Sequence, residues 1–216
     1  MAIWDAQSMT MHFPACLAYI RDRVSCVTPV WSPTLCAPGI ALDVDGRKVV
    51  KTEIKTGDSE AYRCVSTEVG YKAPGKYLFS FAIEDSRART EIMFGVRTSN
   101  FQYSTEDTFP GKTAEGWAYS ASAGSKQHAG TAAYAEPAKS GDVISVLLDL
   151  DVGTLCFLKN GRSMGVSHTL PSATVFFPCV AMREHGHSIV TLNIKDAGGT
   201  EVSWSEVGSQ QDMADA

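Results

Sequence analysis

Three short patterns in this chain could do chemistry. Gly161-Arg162-Ser163-Met164-Gly165 spells the Gly-x-Ser-x-Gly elbow that lifts a nucleophilic serine above the parallel sheet of a hydrolase. That elbow works only between a strand and a helix. Here it follows Asn160-Gly161, a type I′ hairpin signal, and runs into another strand-like segment, so Ser163 is expected in a strand without a nucleophile's role. His185-Gly186-His187 could hold a metal from one face of a strand. Only Glu184 stands near as a third ligand, and a solvated loop is the simpler home for the two histidines. Asp149, Asp151 and Gly153 start like a calcium loop, but the glycine comes one place early and Asn160 stands where the closing glutamate belongs. A sugar hydrolase needs two carboxylates flanking one bond. Glu84 and Asp85 are adjacent, so in a strand they point to opposite faces, and Asp149 and Asp151 sit at a hairpin end. No catalytic residue, metal ligand or cofactor is assigned, and the chain is expected not to be an enzyme.

The elements that carry these patterns read as strands. Val143 to Leu150 is apolar and rich in β-branched residues and stops at Asp151-Val152-Gly153; Thr154 to Lys159 follows and stops at Asn160-Gly161. A third run extends to Val166, which completes an antiparallel meander. Ile40 to Val44 and Lys48 to Ile54 flank an Asp45-Gly46 turn. Further strands are expected at Tyr62 to Ser66, Lys76 to Ile83, Glu91 to Arg97, Trp117 to Ala121, Gln127 to Gly130, Val175 to Met182 and Ser188 to Ile194. Lys76 to Ile83 and Glu91 to Arg97 are expected to pair as a hairpin. Between Thr98 and Glu115 lies a long polar excursion holding Phe101, Tyr103 and Phe109. The spacing predicts an all-β chain folded as a two-layer antiparallel β-sandwich.

Phe13, Leu17, Ile20 and Val24 recur at helical spacing, and Pro14 sits where a first turn tolerates it. A short amphipathic helix over 13–24 is expected to pack on the sandwich. The chain divides accordingly into an N-terminal extension (1–28), one domain (29–207) and a polar, disordered tail (208–216).

With 216 residues, 44% hydrophobic and 20% charged, the chain can bury one full core. A formal charge of −5 and the lack of long basic runs argue against nucleic acid. Six cysteines at 16, 26, 36, 64, 156 and 179 contain no Cys-x-x-Cys pair, so zinc has no support, and Cys156 and Cys179 read as small core residues. No leader, no 18-residue apolar stretch and no Asn-x-Ser/Thr sequon is present. A cytoplasmic monomer that binds neither nucleic acid nor membrane is the expectation.

Several segments together resemble the SPRY (B30.2) family of protein-recognition modules. Trp31-Ser32-Pro33-Thr34 with Asp45-Gly46 is similar to its opening, and Gly75-Lys76-Tyr77-Leu78-Phe79, Phe94-Gly95-Val96 and Gly116-Trp117-Ala118-Tyr119 to its middle strands. Gly141-Asp142-Val143-Ile144 through Gly165-Val166 is similar to its long core motif, and Phe177-Pro178-Cys179-Val180-Ala181 and Val190-Thr191-Leu192-Asn193 to its last strands. On the physical reading these residues build the fold: Trp117 and Tyr119 share one face, Gly95 marks a close backbone approach, and Asp142 is placed to bond turn amides.

The resemblance implies a concanavalin-like sandwich that binds a short peptide or loop of a partner protein through loops at one end. The corresponding positions are Arg63 after the first strands, Phe101, Gln102 and Tyr103 in the long segment, and Met182 and Arg183 between the last two strands. A carbohydrate-binding sandwich, and behind it a glycan hydrolase, are the alternatives.

Overall fold

Alternating apolar residues and tight turns give seventeen strands among the described residues, which in this computed structural model are 3–5, 10–12, 24–52, 60–103 and 107–195. The first six are β1 (Ile3–Asp5), β2 (Thr10–His12), β3 (Ser25–Cys26), β4 (Trp31–Cys36), β5 (Ile40–Leu42) and β6 (Lys48–Lys51). Then come β7 (Arg63–Thr67), β8 (Lys76–Asp85), β9 (Ile92–Arg97), β10 (Gly116–Ser120), β11 (Ser125–Gln127) and β12 (Thr131–Ala133). The last five are β13 (Val143–Asp149), β14 (Thr154–Lys159), β15 (Arg162–Thr169), β16 (Phe177–Met182) and β17 (Ser188–Lys195). The described residues contain no helix. The helix expected over 13–24 lies outside them except for Val24, which is buried, and so does the tail 208–216.

The strands form two sheets. A ten-stranded sheet runs β1-β2-β17-β8-β13-β14-β15, with β3, β5 and β6 paired off that path. A seven-stranded sheet runs β12-β11-β10-β9-β16-β7-β4. All pairings are antiparallel except β2–β17 and β3–β8.

The expected meander is present as β13-β14-β15, and Asn160 and Gly161 hold the positive φ values of 51° and 80° that a type I′ turn requires. Asp142 accepts from the Lys139 amide at 2.9 Å and from Asn160 Nδ2 at 2.8 Å, and so ties the start of the meander to its second turn. The β5–β6 hairpin closes at Gly46. One pairing differs from expectation. β8 and β9 do not pair with each other: β8 lies between β13 and β17, and β9 lies in the other sheet between β10 and β16. The 86–91 connection therefore crosses the sandwich, which sets Phe81 against Phe94 across the core at 6.1 Å.

That core is aromatic. Trp31 stacks on Phe81 at 5.2 Å, Trp117 meets Phe176 edge-on at 5.6 Å, and Tyr119 lies 5.6 Å from Phe157. Burial of such rings supplies most of the driving force and fixes how the two sheets face each other. Trp117 and Tyr119 share the inner face as their spacing predicts, and both are buried. Among the described residues there is no helix long and apolar enough to cross a membrane.

Candidate functional site

A solvated sandwich face normally carries polar side chains, but the outer face of the seven-stranded sheet does not. In β7, β9, β10 and β16 the inward set is Val65, Phe94, Val96, Trp117, Tyr119, Val180 and Met182. The opposite set, Cys64, Met93, Ala118, Cys179 and Ala181, is just as buried. These residues are small or flexible apolar groups that need a cover. The described parts of the 98–115 segment, 98–103 and 107–115, cover them, placing Phe101, Tyr103 and Phe109 against this second apolar cluster together with Tyr62.

The segment is tied down along its length. At its ends the Thr98 amide donates to the Glu115 carbonyl at 2.9 Å, and the Thr98 hydroxyl donates to the Glu115 carboxylate. Midway, the Thr108 amide donates to the Tyr62 carbonyl at 3.1 Å, and the Tyr62 amide donates to Asp107 Oδ1 at 2.7 Å. Tyr103 hydrogen-bonds Ser66 through its hydroxyl, and its ring meets Phe101 edge-on at 5.4 Å. Gly111, at φ 89°, lets the backbone pass against Gln127, whose carbonyl oxygen would lie 2.4 Å from an added Cβ. Its described parts, 98–103 and 107–115, thus form an ordered cover.

Beside it stands the turn after β16. Arg183 donates through Nε to the Glu60 carbonyl at 2.9 Å, and its guanidinium lies 5.7 Å from the Tyr62 ring centroid. The Tyr62 ring also packs on Phe109 at 5.1 Å and donates its hydroxyl to Glu91 at 2.5 Å. Burial first, and then the hydrogen bond to Glu91, push the Tyr62 phenol well above its usual range, so it stays a donor. Phe109 and Arg183 thus meet at the Tyr62 ring as half-buried groups beside Glu60, Glu91 and Asp107, while Tyr103 is half-buried further along the same face, at the Ser66–Arg97 end of the strands.

The residues picked from sequence divide across this face. Gln102 is exposed, and Tyr103 and Arg183 are half-buried. Arg63, Phe101 and Met182 are 1%, 6% and 0% exposed, so they offer a rigid partner no surface. Arg63 and Met182 are register partners across β7 and β16 and point inward with Val65 and Val180, while Phe101 is clamped under its own segment. Tyr62, Glu91, Phe177 and Arg97 belong to the same region and were not singled out. The alternation Met93-Gly95-Arg97 along β9 was the available signal.

The chemical decoys are absorbed by the fold. Ser163 lies in β15 and accepts from the Gly165 amide at 3.1 Å. Asp149 accepts from the Asp151 and Val152 amides at 3.1 and 3.2 Å and pairs with Lys76 at 2.9 Å. The two loop histidines part company, contrary to a shared solvated loop. His185 is exposed, whereas His187 is buried with Nε2 at 3.1 Å from the Ser86 carbonyl and 2.9 Å from that of Arg89. Among the described residues no three His, Cys, Asp or Glu side chains converge as metal ligands. On the flank of the sandwich an open groove of about 320 Å³ is lined by Tyr134, Glu136, Lys159, Arg162 and Met164, among others.

A rigid sandwich with its own loop folded over one sheet, and side chains of mixed character around that cover, belongs to the class of recognition scaffolds. The SPRY domain family pattern matches residues 76–195, more than half of the chain, and the protein belongs to that family. The SPRY domain of human HERC1 superposes with a TM-score of 0.61 at 20% identity, over 75% of this chain and 96% of that one. A second human SPRY domain gives 0.59 at 22% identity, over 71% and 94%. The PSpry domain of TRIM65 gives 0.61 at 15% identity, over 77% and 90%. These likenesses establish the shared fold. SPRY domains are in general protein-interaction modules and typically non-catalytic.

Proposed function

We propose that this SPRY domain binds a short peptide or an extended loop of a partner protein across the face made by residues 98–103 and 107–109 and the turn at 183–185. The observation that carries this reading is the 98–115 cover itself. Its two ends bond each other through Thr98 and Glu115, Thr108 and Asp107 bond the Tyr62 backbone, and Tyr103 and Phe109 stay half-buried on the same face as Arg183, which shares the Tyr62 ring with Phe109. Aromatic rings and an arginine held on a rigid support are the usual anchors of a protein interface, because little side-chain freedom is lost on binding. Gln102 adds an exposed amide whose Nε2 now donates only to the Asn100 carbonyl at 3.0 Å. Arg63, Phe101 and Met182 act behind this surface, as the packing that sets its shape. The working unit is residues 29–207, and five free cysteines among the described residues fit a reducing compartment such as the cytoplasm.

The test is selection of ligands from a displayed library of random heptapeptides on the immobilised protein, followed by affinity measurements on variants. Tyr103→Ala and Arg183→Ala should each weaken a selected peptide by about 1–2 kcal/mol, roughly 5- to 30-fold, with melting temperatures close to wild type. Unchanged affinity in both variants rules this surface out. Binding on a glycan array with no peptide selected would instead favour the carbohydrate-binding reading.

A further inference from the structure

Arg97 is the anomaly of the covered face. It closes β9 on the outward side, is only 2% exposed, and lies flat over the Phe177 ring with its guanidinium carbon 4.0 Å from the centroid. The Tyr103 ring also lies against it, 5.5 Å from the guanidinium carbon. Nε donates to Ser66 Oγ at 2.9 Å and Nη1 donates to the Thr98 carbonyl at 2.9 Å. Nη2 is buried and has no hydrogen-bond partner, and no carboxylate of the described residues is within ion-pair distance of the group. A buried guanidinium held only by neutral oxygens and ring faces is an uncompensated cation, and that is a costly state for a fold to keep. An arginine at this outward position could instead run its stem along the sheet and put its head in water. Here the head is kept under Tyr103, with an unused pair of N–H donors.

We propose that Arg97, held in place by Ser66, Thr98 and Phe177 and closed over by Tyr103, is a receptor for one carboxylate, an Asp or Glu side chain of the bound peptide. The inference rests on the reading that this face binds a peptide. The Tyr103 side chain turns off Ser66 and lies along the ligand, which opens the unpartnered Nη2 to the carboxylate. A carboxylate fits better than a phosphate. The groups around Arg97 are Ser66, Thr98, Tyr103, Phe177 and Cys64, none of them a second cation to balance a dianion. The guanidinium is planar by resonance, and the Phe177 ring with the bonds to Ser66 and Thr98 holds that plane in place, which supplies the geometry a charge-assisted hydrogen bond needs.

The heptapeptide selection reads this directly. Ligands of the wild-type protein should share an Asp or Glu at one fixed position. Changing that acid to its amide should weaken binding at least about tenfold on wild type and less than about twofold on Arg97→Gln. Tyr103→Phe, which frees the ring from Ser66, should bind the acidic ligand more tightly than wild type. Arg97→Met should melt no lower than wild type, because it removes an unpaired buried charge. Ligands without a fixed acid, or an amide penalty that persists in Arg97→Gln, overturn the receptor while leaving peptide binding intact. A Met variant that melts well below wild type assigns Arg97 to the fold and overturns it too. If no peptide is selected at all, the broader reading fails, and this one with it.

Discussion

Under the cover on the seven-stranded sheet the β10 backbone leaves no room for a side chain at Gly95 of β9, and Gly95→Ala tests that close approach. Gly95 sits on the covered face in register with Ala118 and Cys179. A methyl group there would lie 2.0 Å from the Trp117 carbonyl oxygen and 2.9 Å from the Ala118 Cα, against ordinary contacts of 3.4–4 Å. Both neighbours are backbone atoms of a hydrogen-bonded strand, so no rotamer change relieves the clash, and the two strands must separate. Overpacking of this kind costs about 3 kcal/mol, at the upper end of its usual range. For a chain of this size that lowers the melting temperature by roughly 6–12 °C. The assay is thermal unfolding followed by both far-ultraviolet circular dichroism and tryptophan fluorescence. Gly130→Ala serves as the control, since its nearest atom is 3.9 Å away and it should melt like wild type. A Gly95→Ala protein that melts within about 2 °C of wild type would refute the close-approach argument.

Two other perturbations follow from the turn chemistry and the buried imidazoles. Asn160→Ala puts an ordinary residue at φ 51° and removes the bonds of Asn160 to the Val143 amide and to Asp142. It should cost about 2–3 kcal/mol in urea unfolding, and Asn160→Gly measurably less because glycine tolerates the angle. Burial, then Lys126 and His128, hold His168 down at about 4 from 6.5, and burial also lowers His187. Between pH 6.5 and 4 the unfolded chain binds protons that the folded imidazole refuses, so stability is fully present above pH 6.5 and falls as the pH drops through that window. His168→Gln should show a smaller fall in melting temperature from pH 7 to pH 5 than wild type; an equal fall removes His168 from the explanation.

The fold was largely legible because its strands announce themselves by alternation and by turns such as Asn160-Gly161 and Asp45-Gly46. Sheet membership was not. Lys76–Asp85 and Ile92–Arg97 are joined by a short polar link that reads as a hairpin, and nothing local says that it crosses the core. β4 was hidden by Pro33, which an edge strand tolerates, and β12, Thr-Ala-Ala, carries little strand signal. The same limit shaped the site. Alternation reveals which residues face the core only when one face of a strand is wet. β7 is buried at all five positions, so Arg63 could not be told from its outward neighbours until the 98–115 cover was in place. Tyr103, Gln102 and Arg183 were findable as aromatic or polar side chains in connections; Arg97 was disguised as the ordinary end of a strand.

The most direct test of the account is hydrogen exchange with and without a selected peptide. The amides of residues 98–103, 107–109 and 183–187 should slow on binding, while β14 and β15, beside the open groove lined by Lys159 and Arg162, exchange as before. Protection confined to that groove, with the 98–103 and 107–109 amides unchanged, would contradict it.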